Sequence, residues 1–151
     1  AQHGAQWGVA SDLDSQAVAR GQALFQGQAN CVACHSGPAF TDVNSFGLHL
    51  ASASVALDKN YIKFSATKQW RTSPLKGVWQ HPPYFHDGSG ALNRATGKCL
   101  DGSDIGSLAS STDRARQDLA CVVNRYNDPK ERNLGLTDAQ RVDLVEYLKS
   151  L

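Results

Sequence analysis

The chain has 151 residues, 41 % of them hydrophobic, which fits one domain with a modest core. Its 15 basic and 14 acidic side chains leave a formal net charge of +1, and no lysine/arginine cluster offsets that balance, which argues against a nucleic-acid partner. The apolar runs are only a few residues long, so no membrane-spanning helix is expected.

Residues 1–10 read as a flexible tail, and the domain is expected over 11–151. The tail has neither the charged start nor the apolar stretch of a signal peptide, so an exported protein would be present in its processed form. In "SDLDSQAVARGQALFQGQAN", Leu13, Ala17, Val18, Gly21, Leu24 and Phe25 recur at helical spacing, with Ser11 or Asp12 as the expected N-cap. That helix leads into "CVACH". Two cysteines separated by two residues can reach both vinyl groups of a porphyrin, and the histidine that follows is then aimed at the iron. Cys31 and Cys34 are therefore the expected thioether anchors of one covalent haem c, with His35 as proximal ligand. A redox CxxC would need a βαβ context, and a zinc site a second ligand pair at suitable spacing; neither is present in the sequence.

From Ser36 to about Asn60 the chain is rich in Gly, Ser, Asp and Asn and reads as loop, with one short helix expected near 51–57. "RTSPLKGVWQHPPYFHDGSG" holds three prolines and three glycines in 20 residues, too many for a regular element, yet it carries Trp79, Tyr84 and Phe85. A loop loaded with aromatics packs on something apolar, and a haem face would serve. "ALNRATGKCLDGSDIGSLASS" is weakly apolar and reads as a surface excursion. Two helices close the chain. In "STDRARQDLACVVNRY", Leu119, Val122, Val123 and Tyr126 share a stripe, with Ser111 or Thr112 as cap. In "LTDAQRVDLVEYLKSL", Thr137 and Gln140 make a capping box ahead of Leu144, Val145, Leu148 and Leu151. The fold class is all-α, with long loops.

"CVACHSGPAFTD", "RTSPLKGVWQHPPYFHDGSG" and "LGLTDAQRVDLVEYLKSL", which cover about half the chain in this order, resemble the carboxy-terminal haem domain of bacterial di-haem cytochrome c peroxidases and their tryptophan-cofactor-maturing relatives. The resemblance implies a class I cytochrome c-like fold around the haem. Against that family, residues from about 95 to 117 form an insertion, and one CxxCH stands where the family has two haems.

The sequence contains no methionine, the partner commonly found opposite histidine in cytochromes c. The resemblance implies a tyrosine instead, because the family's distal ligand position falls on Tyr126, in the same stripe as Leu119. His86, in "YFHDG", is the alternative distal ligand, and His49 and His81 are weaker candidates. Cys121 lies five residues before Tyr126, roughly 140° around the helix, and points away from that stripe. It pairs better with Cys99 across the apparent insertion, where a disulfide would contribute on the order of 3 kcal/mol. Arg71 and Lys76 are the expected cations for the haem propionates, as the resemblance also implies, and Trp79 is an expected haem-packing residue; Trp70 and Trp79 could also relay electrons.

A haem-attaching pair and a disulfide together point to an oxidising compartment, the periplasm in a bacterium. The expected function is that of a periplasmic monohaem cytochrome carrying single electrons between redox partner proteins, such as a dehydrogenase or another cytochrome. The alternative is a peroxidase- or oxidase-type haem enzyme, or a domain of one. A sensing module with an exchangeable ligand is a third, weaker reading.

Overall fold

The computed structural model describes residues 12–45, 47–50 and 62–151. The tail expected over 1–10 and the short helix expected at 51–57 lie outside the described residues. Among the described residues three α-helices frame the molecule: α1 (Ser15–Gln26), α2 (Arg114–Asn127) and α3 (Asp138–Ser150).

α1 starts at Asp14, whose carboxylate accepts from the Gln16 and Ala17 amides at 2.9 and 3.1 Å. The cap therefore lies two or three residues beyond the expected Ser11 or Asp12. Asp12 is engaged elsewhere, with the Arg116 guanidinium at 2.9 Å and the Lys149 ammonium at 3.0 Å. α1 buries Ala17, Gly21 and Phe25 against α3. Gly21 sets how closely the two helices cross, because a Cβ there would lie 2.0 Å from the Asp143 carbonyl oxygen and 2.7 Å from Tyr147 Cβ. Phe25 then meets the Tyr147 ring edge-on, with centroids 5.2 Å apart.

α3 carries the expected capping box: Thr137 accepts from the Gln140 amide, and the Gln140 side chain accepts from the Thr137 amide. Its expected apolar face is buried, but so are Asp143, Glu146, Tyr147 and Lys149. Those charges are paired. Arg116 grips Glu146 through two bonds of 2.7 and 2.8 Å, and Lys149 bonds Asp12 and Asp113. The Asp14 amide donates to Glu146 at 2.9 Å, so the starts of α1 and α2 are tied to the end of α3.

α2 is capped by Asp113, not by Ser111 or Thr112. The Asp113 carboxylate accepts from the Arg116 amide and also pairs with Lys149, a tertiary contact that local pattern could not reveal. On α2, Leu119 and Val123 are buried, while Val122 and Tyr126 are half-buried.

The segment before α2 differs from a loose surface excursion. β3 (Leu92–Asn93) pairs with β4 (Lys98–Cys99), and a 3-10 turn follows over Gly106–Ser110. Ile105 and Leu108 enter the core, and a Cys99–Cys121 disulfide fastens the hairpin to α2. Asp118, itself buried, accepts from the Leu92 amide and from Arg94, both at 2.8 Å. Earlier in the chain β1 (His49–Leu50) pairs with β2 (Gln69–Trp70). Each strand is two residues long, so these ladders pin loops and leave the fold all-α in character.

Candidate functional site

α1 delivers the chain to a 3-10 turn over Cys31–Ala33, entered through Asn30 in the left-handed region. The His35 and Cys34 amides both bond back to the Cys31 carbonyl, at 2.8 and 3.2 Å, so the turn gathers Cys31, Cys34 and His35 on one loop of backbone. His35 Nδ1 lies 3.1 Å from the Phe40 carbonyl oxygen. A carbonyl only accepts, so Nδ1 carries the proton and Nε2 is the basic nitrogen, the tautomer a metal ligand needs. Burial pushes the imidazole pKa down, against the opposing pull of the Phe40 and Ser73 carbonyls, and keeps the ring neutral. Burial also pushes the Cys31 thiol up to about 11 and raises Cys34. Reactive redox cysteines have depressed pKa values, so the raised thiols argue against a redox CxxC.

A cavity of about 290 Å3 opens beside this turn, lined by Phe25, Val32, His35, Phe40 and Tyr147 among others. Thr41 donates to the Thr72 carbonyl at 2.7 Å and brings the segment 71–76 alongside. Arg71 and Lys76 stand exposed on that segment, and Trp79 is half-buried against the core. The indole nitrogens of Trp70 and Trp79 are buried without a hydrogen-bond partner among the described residues. Buried N–H donors are rarely left unpaired. Haem propionates would supply acceptors to such donors and anions to Arg71 and Lys76. Apolar walls, a neutral imidazole and unsatisfied indole donors make a donor set that fits haem c.

The two candidates for the far side of the iron occupy different settings. Tyr126 is half-buried near the end of α2, with its ring centroid 6.2 Å from that of Phe85. Phe85 takes a positive φ of 66°, and Gly90 lets its ring lie close, since a Cβ there would stand 2.9 Å from the ring. His86 is exposed and packs on the Trp70 ring, with centroids 3.8 Å apart and planes tilted by 32°. His81 is exposed at the end of the 3-10 turn Val78–Gln80. His49 Nε2 pairs with Asp42 at 2.7 Å, and Cys34 Sγ lies within 4.8 Å of both donor groups. Sequence reasoning gave Asp42 no role. Its only signal was its place in "AFTD", whereas the pairing with His49 spans seven positions of irregular loop.

The sequence profile of the cytochrome c family matches residues 18–151. The chain belongs to the cytochrome c family. Membership implies covalently bound haem c, and the helices described above form a class I cytochrome c-like fold. It is 32 % identical over 136 residues to the methylamine utilization protein MauG of Methylorubrum extorquens, an alignment that covers 87 % of this chain and 33 % of that protein. This cytochrome c chain thus spans about a third of the length of the curated relative it matches. The similarity supports the resemblance to the di-haem peroxidase group. No solved structure gives a significant match. Among the described residues no helix is long and apolar enough to cross a membrane.

Proposed function

We propose that this cytochrome c chain is a periplasmic single-haem electron carrier in which Cys31 and Cys34 anchor the porphyrin, His35 binds the iron and Tyr126 is the distal ligand. The observation that carries the reading is His35 itself: half-buried, neutral, following the CxxC turn, with Nδ1–H fixed on the Phe40 carbonyl. That bond sets the tautomer and leaves Nε2 as the nitrogen able to bind a metal. Bound haem c supplies a one-electron ferric/ferrous couple.

The chain's residues then divide the work. Phe25, Phe40 and Tyr147 give an apolar wall that keeps water from the proximal side. Arg71 and Lys76 would neutralise the propionates, to which the buried Trp70 and Trp79 indole N–H groups could donate. Tyr126 is favoured over His86 because the aromatic loop sets Phe85 against Tyr126 while His86 lies on Trp70 at the surface. A phenolate is a hard anionic donor and holds iron ferric more strongly than a thioether does. Redox partner proteins would exchange electrons at the haem edge near Cys31 and Cys34.

The 32 % identity to MauG favours a second reading, a domain of a peroxidase-type haem enzyme. Ferric absorption and electron-paramagnetic spectra of wild type, Tyr126→Phe and His86→Asn, with and without peroxide, separate the possibilities. The proposal expects a tyrosinate charge-transfer band lost only in Tyr126→Phe and no response to peroxide. A bis-histidine spectrum abolished by His86→Asn would overturn the Tyr126 assignment. A spectral change on adding peroxide would favour the enzyme.

A further inference from the structure

Asp42 is 2 % exposed, and its carboxylate sits between the haem-attachment turn and a histidine from outside it. His49 Nε2 is 2.7 Å from Oδ2, while Oδ1 is buried with no hydrogen-bond partner among the described residues. The Cys34 sulfur lies within 4.8 Å of the donor atoms of both residues. In the haem-bearing protein that sulfur is a thioether bonded to the porphyrin edge and is no longer free to join Asp42 and His49 around a metal ion. What remains beside the porphyrin is a buried carboxylate held by an imidazole.

We propose that Asp42 is an electrostatic tuning residue for the haem, a fixed negative charge at the Cys34 edge, held in place by His49, that favours ferric iron and lowers the reduction potential. The inference rests on Cys34 being a haem anchor. Two observations support it. The carboxylate is buried within 4.8 Å of the Cys34 sulfur and is held there by His49. It is also ionised at neutral pH: burial raises its pKa, but the Thr72 and His49 side chains outweigh that and bring it below the usual carboxylate value. Charge in a water-poor setting acts over several ångströms with little screening, so a haem anchored at Cys34 would lie within its field. Groups just outside the metal ligands set redox potential in this way.

The test is spectroelectrochemical titration of the haem-loaded full chain for wild type, Asp42→Asn, Asp42→Ser, Asp42→Glu and Asp118→Asn. The expected result is a higher potential in Asp42→Asn and Asp42→Ser with an unchanged ferric spectrum. Asp42→Glu should stay near wild type, and so should Asp118→Asn, which removes a buried carboxylate that bonds Leu92 and Arg94. The serine variant serves if the asparagine variant does not fold. An unmoved potential in the uncharged variants, an altered ferric spectrum, or an equal rise in Asp118→Asn overturns the inference. A wild-type chain whose haem is not linked through Cys34 would instead contradict the proposed function, before any Asp42 variant is read.

Discussion

At position 21 a single hydrogen decides whether α1 and α3 can cross. A methyl group there would run into the Asp143 carbonyl, which is backbone and cannot swing aside. Gly21→Ala should therefore destabilise the haem-loaded protein by about 3 kcal/mol, the upper end of ordinary overpacking, as read by chemical denaturation. The sequence placed Gly21 on the buried stripe but could not show the opposing carbonyl, which comes from a helix more than 100 residues away. The same contrast holds at the candidate site. "CVACH" is a local signal, because attachment needs two thiols and an imidazole on one turn. Asp42 is not, because its meaning depends on His49 and on the Cys34 sulfur reaching it across a loop.

Among the helices, α3 is the most legible, because Thr137 and Gln140 bond to each other's backbone and encode the boundary locally. The caps of α1 and α2 differ from the expected ones for one reason: several consecutive residues can cap, and distant partners choose among them. Asp12 and Asp113 are both drawn to Arg116 and Lys149. Within this network the Arg116 and Lys149 side chains bring the Asp12 carboxyl down to about 2 from 3.8, and Asp113 is lowered as well. A depressed carboxyl stabilises the fold above its unfolded pKa and ceases to do so as pH falls through its folded one. Stability followed by tryptophan fluorescence should decline from about pH 4 towards pH 2, and Asp12→Asn should remove part of that slope. Arg116→Met leaves Glu146 buried without its two guanidinium bonds, and the expected loss is about 3–5 kcal/mol in thermal or chemical melts at neutral pH. The segment from β3 to the Gly106–Ser110 turn reads as a surface excursion because it is only weakly apolar and rich in glycine and serine; Ile105, Leu108 and the disulfide anchor it. Replacing Cys99 and Cys121 together with serine should lower stability by about 3 kcal/mol, and haem content should be unchanged if the bridge serves only the fold.

For the whole molecule, the all-α reading and the attachment turn follow from patterns a few residues long. The arrangement of the aromatic loop, from which the proposed distal ligand is judged, does not, because no pattern a few residues long says where that loop lies. There Phe85 packs towards Tyr126 and His86 lies on Trp70. Both the carrier and the enzyme-domain reading require one haem held through Cys31 and Cys34, and every other assignment at the site depends on it. Intact-mass spectrometry of the purified, denatured chain tests this directly. A single species heavier than the polypeptide by one haem, lost when Cys31 and Cys34 are both replaced by alanine, is the expected result. A mass equal to the bare polypeptide, or one increased by two haems, would contradict a single haem held through these two cysteines.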